Sequence, residues 1–483
     1  MTNDKNIKRI SAAIFIAAGI VYALISLVNH YFFRTYALDL GFYTHIMHDY
    51  AHFKIDDYFM FNRASLNVLS DHFDLYLLIL SPLVYVFGSY TLLLVQIAGV
   101  LLGGWGIFKL IKLYTDDEWI PVLASATFLS SFGIIHAFSF DYHSNVLAAM
   151  MLPWLLYYLK QGKFGLSTLF AVLFVIGKEN MSLWLFFIAL GLLWDYRKDK
   201  KATGYLSAYA VFALVYFFLI NMVVMPKLGD AGGGFKRYAW LGSDYLDIAK
   251  NLITQPGKTL RILFTNTSRW YGFDGIKAEF YYCALASGML LTLLKPNYLL
   301  MLVPLIAQKM LSSDHVFWGI SMQYSVEFVP VLVISSFLVI TKLKQQRWRY
   351  IVTGGLLLSV IATTFYTITD PKDQIHRERL CIYLGEHYRQ DNFDIQYARH
   401  LMELIPDDAY VCAASMFVPH LAQRENIEDF EWNKNTEAEY VLIPKSYFEK
   451  REYGGDLIFG NKDDFEVVET DGTLYLMKVK GER

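Results

Sequence analysis

Cysteine is scarce in this chain: three residues, Cys283, Cys381 and Cys412, in 483, with no C-x-x-C spacing. That excludes a thiolate metal site and a disulfide framework. One bridge stays open, between Cys381 and Cys412, if their segment lies outside the membrane in an oxidising compartment. There is no basic tract of the kind that binds nucleic acid, and the formal net charge is only −2. The glycines of GDAGGG at 229–234 are not followed by Lys-Ser or Lys-Thr, so they do not make a P-loop. A mobile outer loop is the simpler expectation. No A-x-A cleavage site follows the first apolar run at 11–29, which favours a retained helix over a signal peptide. No solenoid-like repeat is visible.

What the chain has in abundance is apolar sequence. Hydrophobic residues make up 55% and aromatics 17%, in runs too long for a soluble globular fold. At roughly 20 apolar residues per helix, about eleven spans are expected. They fall near 10–29, 91–112, 119–138, 144–160, 165–178, 181–195, 204–225, 277–294, 297–312, 323–341 and 350–369. Residues 73–88 are apolar too, but Pro82 and the short length suit a helix lying along the membrane interface. Gly99, Gly103 and Gly104 have the spacing of close helix packing. With the N-terminus inside, the connections 109–118, 160–163, 195–203, 295–296 and 342–349 are cytoplasmic, and each carries Lys or Arg. Counting 73–88 as a full span would put these basic loops outside. The same alternation sends the histidines and the loops 30–90 and 226–275 to the outer face.

Two segments break the apolar pattern. Residues 34–74 hold Asp39, Asp71, His45, His48, His52 and His72 among many aromatics, so this long loop is expected to be ordered and to roof a site. Residues 371–483 are charged. They alternate helix-like QYARHLMELI with strand-like AYVCAAS, EYVLIP, FEVVET and LYLMKVK around an Asp-Gly turn. The expected domains are therefore 1–370, in the membrane, and 371–483, a small extracytoplasmic α/β domain of about 110 residues.

Ionisable groups between apolar runs are costly unless they pair or line a cavity. Asp39, between Leu38 and Leu40, can act as a base toward a hydroxyl or cap a helix. His45, His48 and His52 share a helix face, with Asp49 nearby. That spacing is open to metal ligation or to a plain amphipathic face. Asp71 and His72 precede the 73–88 segment; they can cap it, or His72 can donate to a phosphate or sugar oxygen. Asp141 and His143 in FSFDYHSN, and Lys178, Glu179 and Asn180, stand at outer span ends. A lysine there suits an anionic phosphate, and carboxylates suit proton abstraction or a divalent cation. Snorkelling and a Lys178–Glu179 pair would account for Lys178 without a ligand. Tyr324 and Glu327 enter the tenth span from outside, toward a cavity or an interhelical hydrogen bond. Arg269, Trp270 and Tyr271 make a basic-aromatic lip or an interfacial belt.

The ordered motifs LDLGFY, SDHFDLYLLILSPLVYVFG, FDYHSN, GKEN, LLKPNYLLMLVPLIAQKMLSS, MQYSVEFVP and IPDDAYVCAASMFVPHLAQR…AEYVLIP resemble a family of bacterial and archaeal membrane proteins. That family is catalogued as domain of unknown function 2079, and the likeness covers residues 10 to about 445. The family in turn looks similar to the C-type membrane glycosyltransferases, which take sugars from polyprenyl-phosphate donors on the outer face. The resemblance implies an all-α polytopic membrane fold with interfacial helices within 40–90, in the cell membrane. It implies Asp39 as catalytic base, Asp141 as a second acid near the acceptor or a metal, and Lys178 at the donor phosphate. His72, His143, Glu179, Tyr324 and Arg269 complete the expected substrate-binding set. The chain lacks Asp-x-Asp, and Asp-Glu does not stand at the Asp39 position as in many relatives, so a divalent cation is left open. The implied partners are the bilayer, a polyprenyl-phosphate sugar, and a cell-envelope glycan, lipid or protein acceptor. Two other classes fit the same residues: a transporter or flippase for lipid-linked sugars, and a non-catalytic glycolipid-binding protein. Transporters commonly place their sites near the bilayer midplane, whereas these ionisable groups gather at outer helix ends.

Overall fold

The computed structural model describes residues 2–480 except 55–56, 62, 230–235, 267–272, 373–374, 433–436 and 450–464. Every apolar run expected to span is built on helix, among them Thr2–Tyr31, Thr91–Lys112, Ser144–Lys160, Met181–Tyr196 and Gln346–Thr369. Two of the runs are broken. The run 119–138 splits into Trp119–Leu129 and Phe132–Phe138, bent by 45° at the serines between them. The run 277–294 kinks at Ser287–Gly288, where Gly288 takes φ 121°.

By length and composition, four described helices can cross a membrane, or five if the bent pair is one span. The shorter ones fall below the expected length. Phe164–Ile176, for example, has 13 residues and so extends about 20 Å at 1.5 Å per residue, against a hydrocarbon core of about 30 Å. The segment 73–88 forms the short turns Tyr76–Leu80, Ser81–Leu83 and Val84–Phe87, interrupted at Pro82 and ended by Gly88 at φ 57°.

The chain divides into two compact units: residues 1–23, 71–74 and 96–380, and residues 24–70, 75–95 and 381–483. The first is a helical bundle. In it Gly99 and Gly103 meet Leu147 and Met150 so closely that a Cβ at either would collide with them, which is the packing their spacing implies.

The second unit holds a five-stranded sheet in the order Ile427–Asp429, Val411–Ala413, Tyr440–Pro444, Leu474–Val479, Phe465–Thr470. The first three strands are parallel and the last two join antiparallel. The parallel strands are buried along their whole length, as uninterrupted apolar VCA and YVLIP require. The final hairpin turns on Asp471 and Gly472. Gly472 takes φ 85° and the Asp471 carboxylate accepts from the N–H groups of Thr473 and Leu474. Cys412 is buried in the central parallel strand and Cys381 lies outside the sheet; no disulfide joins them.

Candidate active site

Asp39 belongs to the second unit and stands where the chain is neither strand nor regular helix. Its backbone has φ 71° and ψ −84°, after Leu38 at ψ 128°. These are close to the angles of the γ-turn with positive φ, which is rare and strained and costs a side-chain-bearing residue on the order of 1–3 kcal/mol. Neighbouring groups hold the turn. The Ala37 N–H donates to Ser415 Oγ at 3.1 Å and the Gly41 N–H to the Tyr36 carbonyl at 3.1 Å. Gly41 also packs against Val418 and the Pro419 backbone with no room for a Cβ. Ala37, Leu40 and Gly41 are buried, whereas Asp39 is half-buried. The backbone is pinned and the carboxylate-bearing residue keeps access to solvent.

Ser415 follows the strand Val411–Ala413, and Asp429 ends the adjacent strand. Burial, opposed by hydrogen bonds from the Glu431 N–H and Ser415, pushes the Asp429 carboxyl up to about 7.

In the first unit, Lys178, His72 and Glu179 form one polar chain at the junction of Phe164–Ile176 and Met181–Tyr196. Lys178 Nζ donates to His72 Nε2 at 3.3 Å, and His72 Nδ1 lies 3.4 Å from Glu179 Oε1. The Phe73 N–H donates to Glu179 Oε2 at 3.1 Å. A lysine ammonium can only donate, so the contact leaves the proton of a neutral His72 on Nδ1, facing the carboxylate. Burial pushes the Glu179 carboxyl up, but His72 and Lys178 outweigh it and hold it down to about 2. The link between Lys178 and Glu179 thus runs through His72. Asn180 anchors the same turn by donating to Gln308 at 2.9 Å.

Asp141 and His143 form a second cluster of this unit. Asp141 has φ 55°, and the Gln96 side chain clamps its turn. Gln96 Nε2 donates to the Asp141 carbonyl at 2.7 Å, and its Oε1 accepts from the His143 N–H at 3.0 Å. The Asp141 carboxylate accepts from Arg379 Nη1 at 3.0 Å, with side-chain exposures of 4% and 1%. The same nitrogen reaches the Ser139 carbonyl. His143 stacks on Phe140 with centroids 5.2 Å apart, and Phe140 also stacks with His376 at 4.9 Å.

Tyr324 stacks on Phe317, and its carbonyl accepts from Lys309 Nζ at 3.2 Å. Lys309 is buried and also donates to the Gly319 carbonyl and Ser325 Oγ. Glu327 accepts from Asn145 Nδ2 at 2.7 Å, an interhelical hydrogen bond. Arg269, with Trp270 and Tyr271, lies outside the described residues, as do residues 230–234 of GDAGGG. A cleft of about 670 Å³ at the opposite ends of these helices is lined by Lys160, Lys198, Lys295, Lys342, Asp195 and Asp199, and by none of the expected site residues.

Residues 29–454 match the family described as predicted membrane protein (DUF2079). The chain belongs to that family. No curated protein matches the sequence. Among solved structures, the DUF2079 chain is similar to ArnT from Cupriavidus metallidurans bound to undecaprenyl phosphate. The TM-score is 0.50 at 10% identity, over 96% of this chain and 97% of that one. ArnT from the same organism in the apo state matches with a TM-score of 0.47 at 11% identity over the same shares. The likeness to the ArnT structure bound to undecaprenyl phosphate is one of fold.

Several residues that build the DUF2079 clusters escaped sequence reasoning. Gln96 and Lys309 were visible only as single polar residues inside apolar helices. Arg379 and Ser415 looked like ordinary members of a charged, soluble segment.

Proposed function

We propose that this DUF2079 protein is an integral membrane glycosyltransferase that moves a sugar from a polyprenyl-phosphate donor to an acceptor hydroxyl on the outer face. The observation that supports this most is the end-to-end fold similarity to an ArnT structure that holds undecaprenyl phosphate. In this reading Asp39 takes the proton of the acceptor hydroxyl and the freed oxygen attacks the anomeric carbon. The bond from that carbon to the phosphate oxygen breaks, polyprenyl phosphate leaves with the electron pair, and configuration inverts. A half-buried carboxylate on a pinned backbone suits a general base, because the geometry is prepared before substrate arrives.

Lys178 is assigned to the donor phosphate, where a charge-assisted hydrogen bond is worth about 1.5–3 kcal/mol. His72 and Glu179 orient it. His143, Tyr324 and Arg269 are assigned to the sugar or acceptor, and Asp141 to the second acid. The protein is multi-pass, with residues 371–483 outside the cell membrane.

The test is release of polyprenyl phosphate by purified protein from a panel of polyprenyl-phosphate sugars, with a mixed cell-envelope extract as acceptor. Release from at least one donor is expected. Saturable donor binding without release would contradict the reading and point to a carrier or binding protein. Lys178→Gln is expected to weaken donor binding by roughly 10- to 100-fold, read on a variant that thermal unfolding shows to be folded. Wild-type donor affinity in that variant would remove Lys178 from the phosphate.

A further inference from the structure

The helix Phe42–Ala51 carries His45, His48 and Asp49, and one ligand atom from each lies within 4.8 Å of the others. We propose that these three side chains bind one divalent cation of the zinc class, a site that stands apart from the sugar-transfer reading.

The argument begins with tautomers. His45 Nδ1 lies 3.3 Å from the Ala422 carbonyl. A carbonyl oxygen can only accept, so Nδ1 carries the proton and a neutral His45 presents the lone pair of Nε2. That lone pair faces Asp49 Oδ2 at 3.8 Å. A neutral imidazole nitrogen and a carboxylate oxygen are both acceptors, and a divalent cation placed between them would satisfy both. His45 is 2% exposed and Asp49 8%, so water screens the attraction to such an ion poorly.

The distances suit a metal ion. His48 Nδ1 is hydrogen-bonded to Asp49 Oδ1 at 3.3 Å, a separation that also matches the spacing of about 3.3–3.4 Å between ligands in a tetrahedron with bonds near 2.0–2.1 Å, so an ion would replace the shared proton. The His45–Asp49 separation of 3.8 Å needs only a modest contraction. A histidine whose second nitrogen donates to a backbone carbonyl is the usual arrangement at metal sites, because that bond fixes the ring and raises its basicity.

The donor set also selects the metal. Two imidazoles and one carboxylate suit zinc, whereas magnesium and calcium prefer oxygen ligands throughout. Three protein ligands leave a fourth position for water. The His48 side chain, 16% exposed, opens that position to solvent. His52, one turn further on, donates from Nδ1 to the His48 carbonyl at 2.7 Å and is exposed, so it is not counted as a ligand. Because His45 is backed by Ala422, the ion would fasten the helix that follows the Asp39 turn to residues of the C-terminal segment within the same unit.

The test uses the full chain in detergent, stripped with a chelator and titrated with zinc or cobalt(II). One equivalent of zinc per chain is expected by elemental mass spectrometry, with visible cobalt absorption bands of tetrahedral type. His48→Ala and Asp49→Asn should each weaken zinc binding by roughly 100-fold or more, since even residues behind a ligand are worth about 10- to 100-fold. Thermal unfolding of each variant confirms that it is folded when titrated, and His52→Ala should bind as wild type does. Failure of the stripped wild type to take up stoichiometric zinc would overturn the proposal. So would undiminished affinity in both His48→Ala and Asp49→Asn, or displacement of zinc by millimolar magnesium.

Discussion

Asp39 and Asp141 were singled out as acids between apolar neighbours, and both adopt positive φ, 71° and 55°. Their surroundings differ. Asp39 is half-buried on a turn whose flanks are pinned. Asp141 is buried and paired with Arg379, a partner 238 residues away. Removing one member of a buried ion pair costs about 3–5 kcal/mol. Arg379→Met is therefore expected to destabilise the protein by about that amount in chemical unfolding, and Asp141→Asn combined with Arg379→Met should recover most of the loss. A single Arg379→Met variant as stable as wild type would show that the pair does not anchor this turn. The FDYHSN motif could be read locally because an acid between apolar runs stands out. Arg379 could not, because it lies in a charged segment where an arginine is ordinary and only the fold brings it to Asp141.

At the scale of elements, the strands of the C-terminal segment were legible as apolar or alternating runs. AYVCAAS, EYVLIP, FEVVET and LYLMKVK each contain an observed strand. The strand Ile427–Asp429 was missed because it is three residues long and two of them are acidic. Its last residue, Asp429, carries a testable consequence. Burial raises its carboxyl from 3.8 to about 7, with Glu431 adding to the rise. The folded chain therefore holds this proton more tightly than the unfolded chain does, and stability falls as pH rises through that window. Unfolding temperatures measured from pH 4.5 to 7.5 should decline less steeply in Asp429→Asn than in wild type. Parallel slopes would contradict the assignment. The breaks at residues 130–131 and 287–288 were illegible for a different reason. Hydropathy averages over a run and does not register a backbone turn inside it.

At the scale of the molecule, composition and charge distribution carried the membrane reading, and the family match over residues 29–454 agrees with it. The number of full-length spans did not follow from composition, because apolar helices buried in a bundle look like spanning ones until their lengths are measured. Orientation rests on the basic connections alone. In a background without Cys283, Cys381 and Cys412, a cysteine at Lys198 should escape a membrane-impermeant maleimide applied to intact cells. One at Glu425 should react. The opposite labelling pattern would reverse the orientation.

Sugar transfer with Asp39 as base is tested most directly by comparing Asp39→Asn with wild type for polyprenyl phosphate release and donor binding in the same preparation. Loss of a general base lowers turnover by about 10²–10⁴-fold, so release should fall by that factor while donor affinity stays close to wild type. Release by Asp39→Asn at the wild-type rate would contradict the assignment.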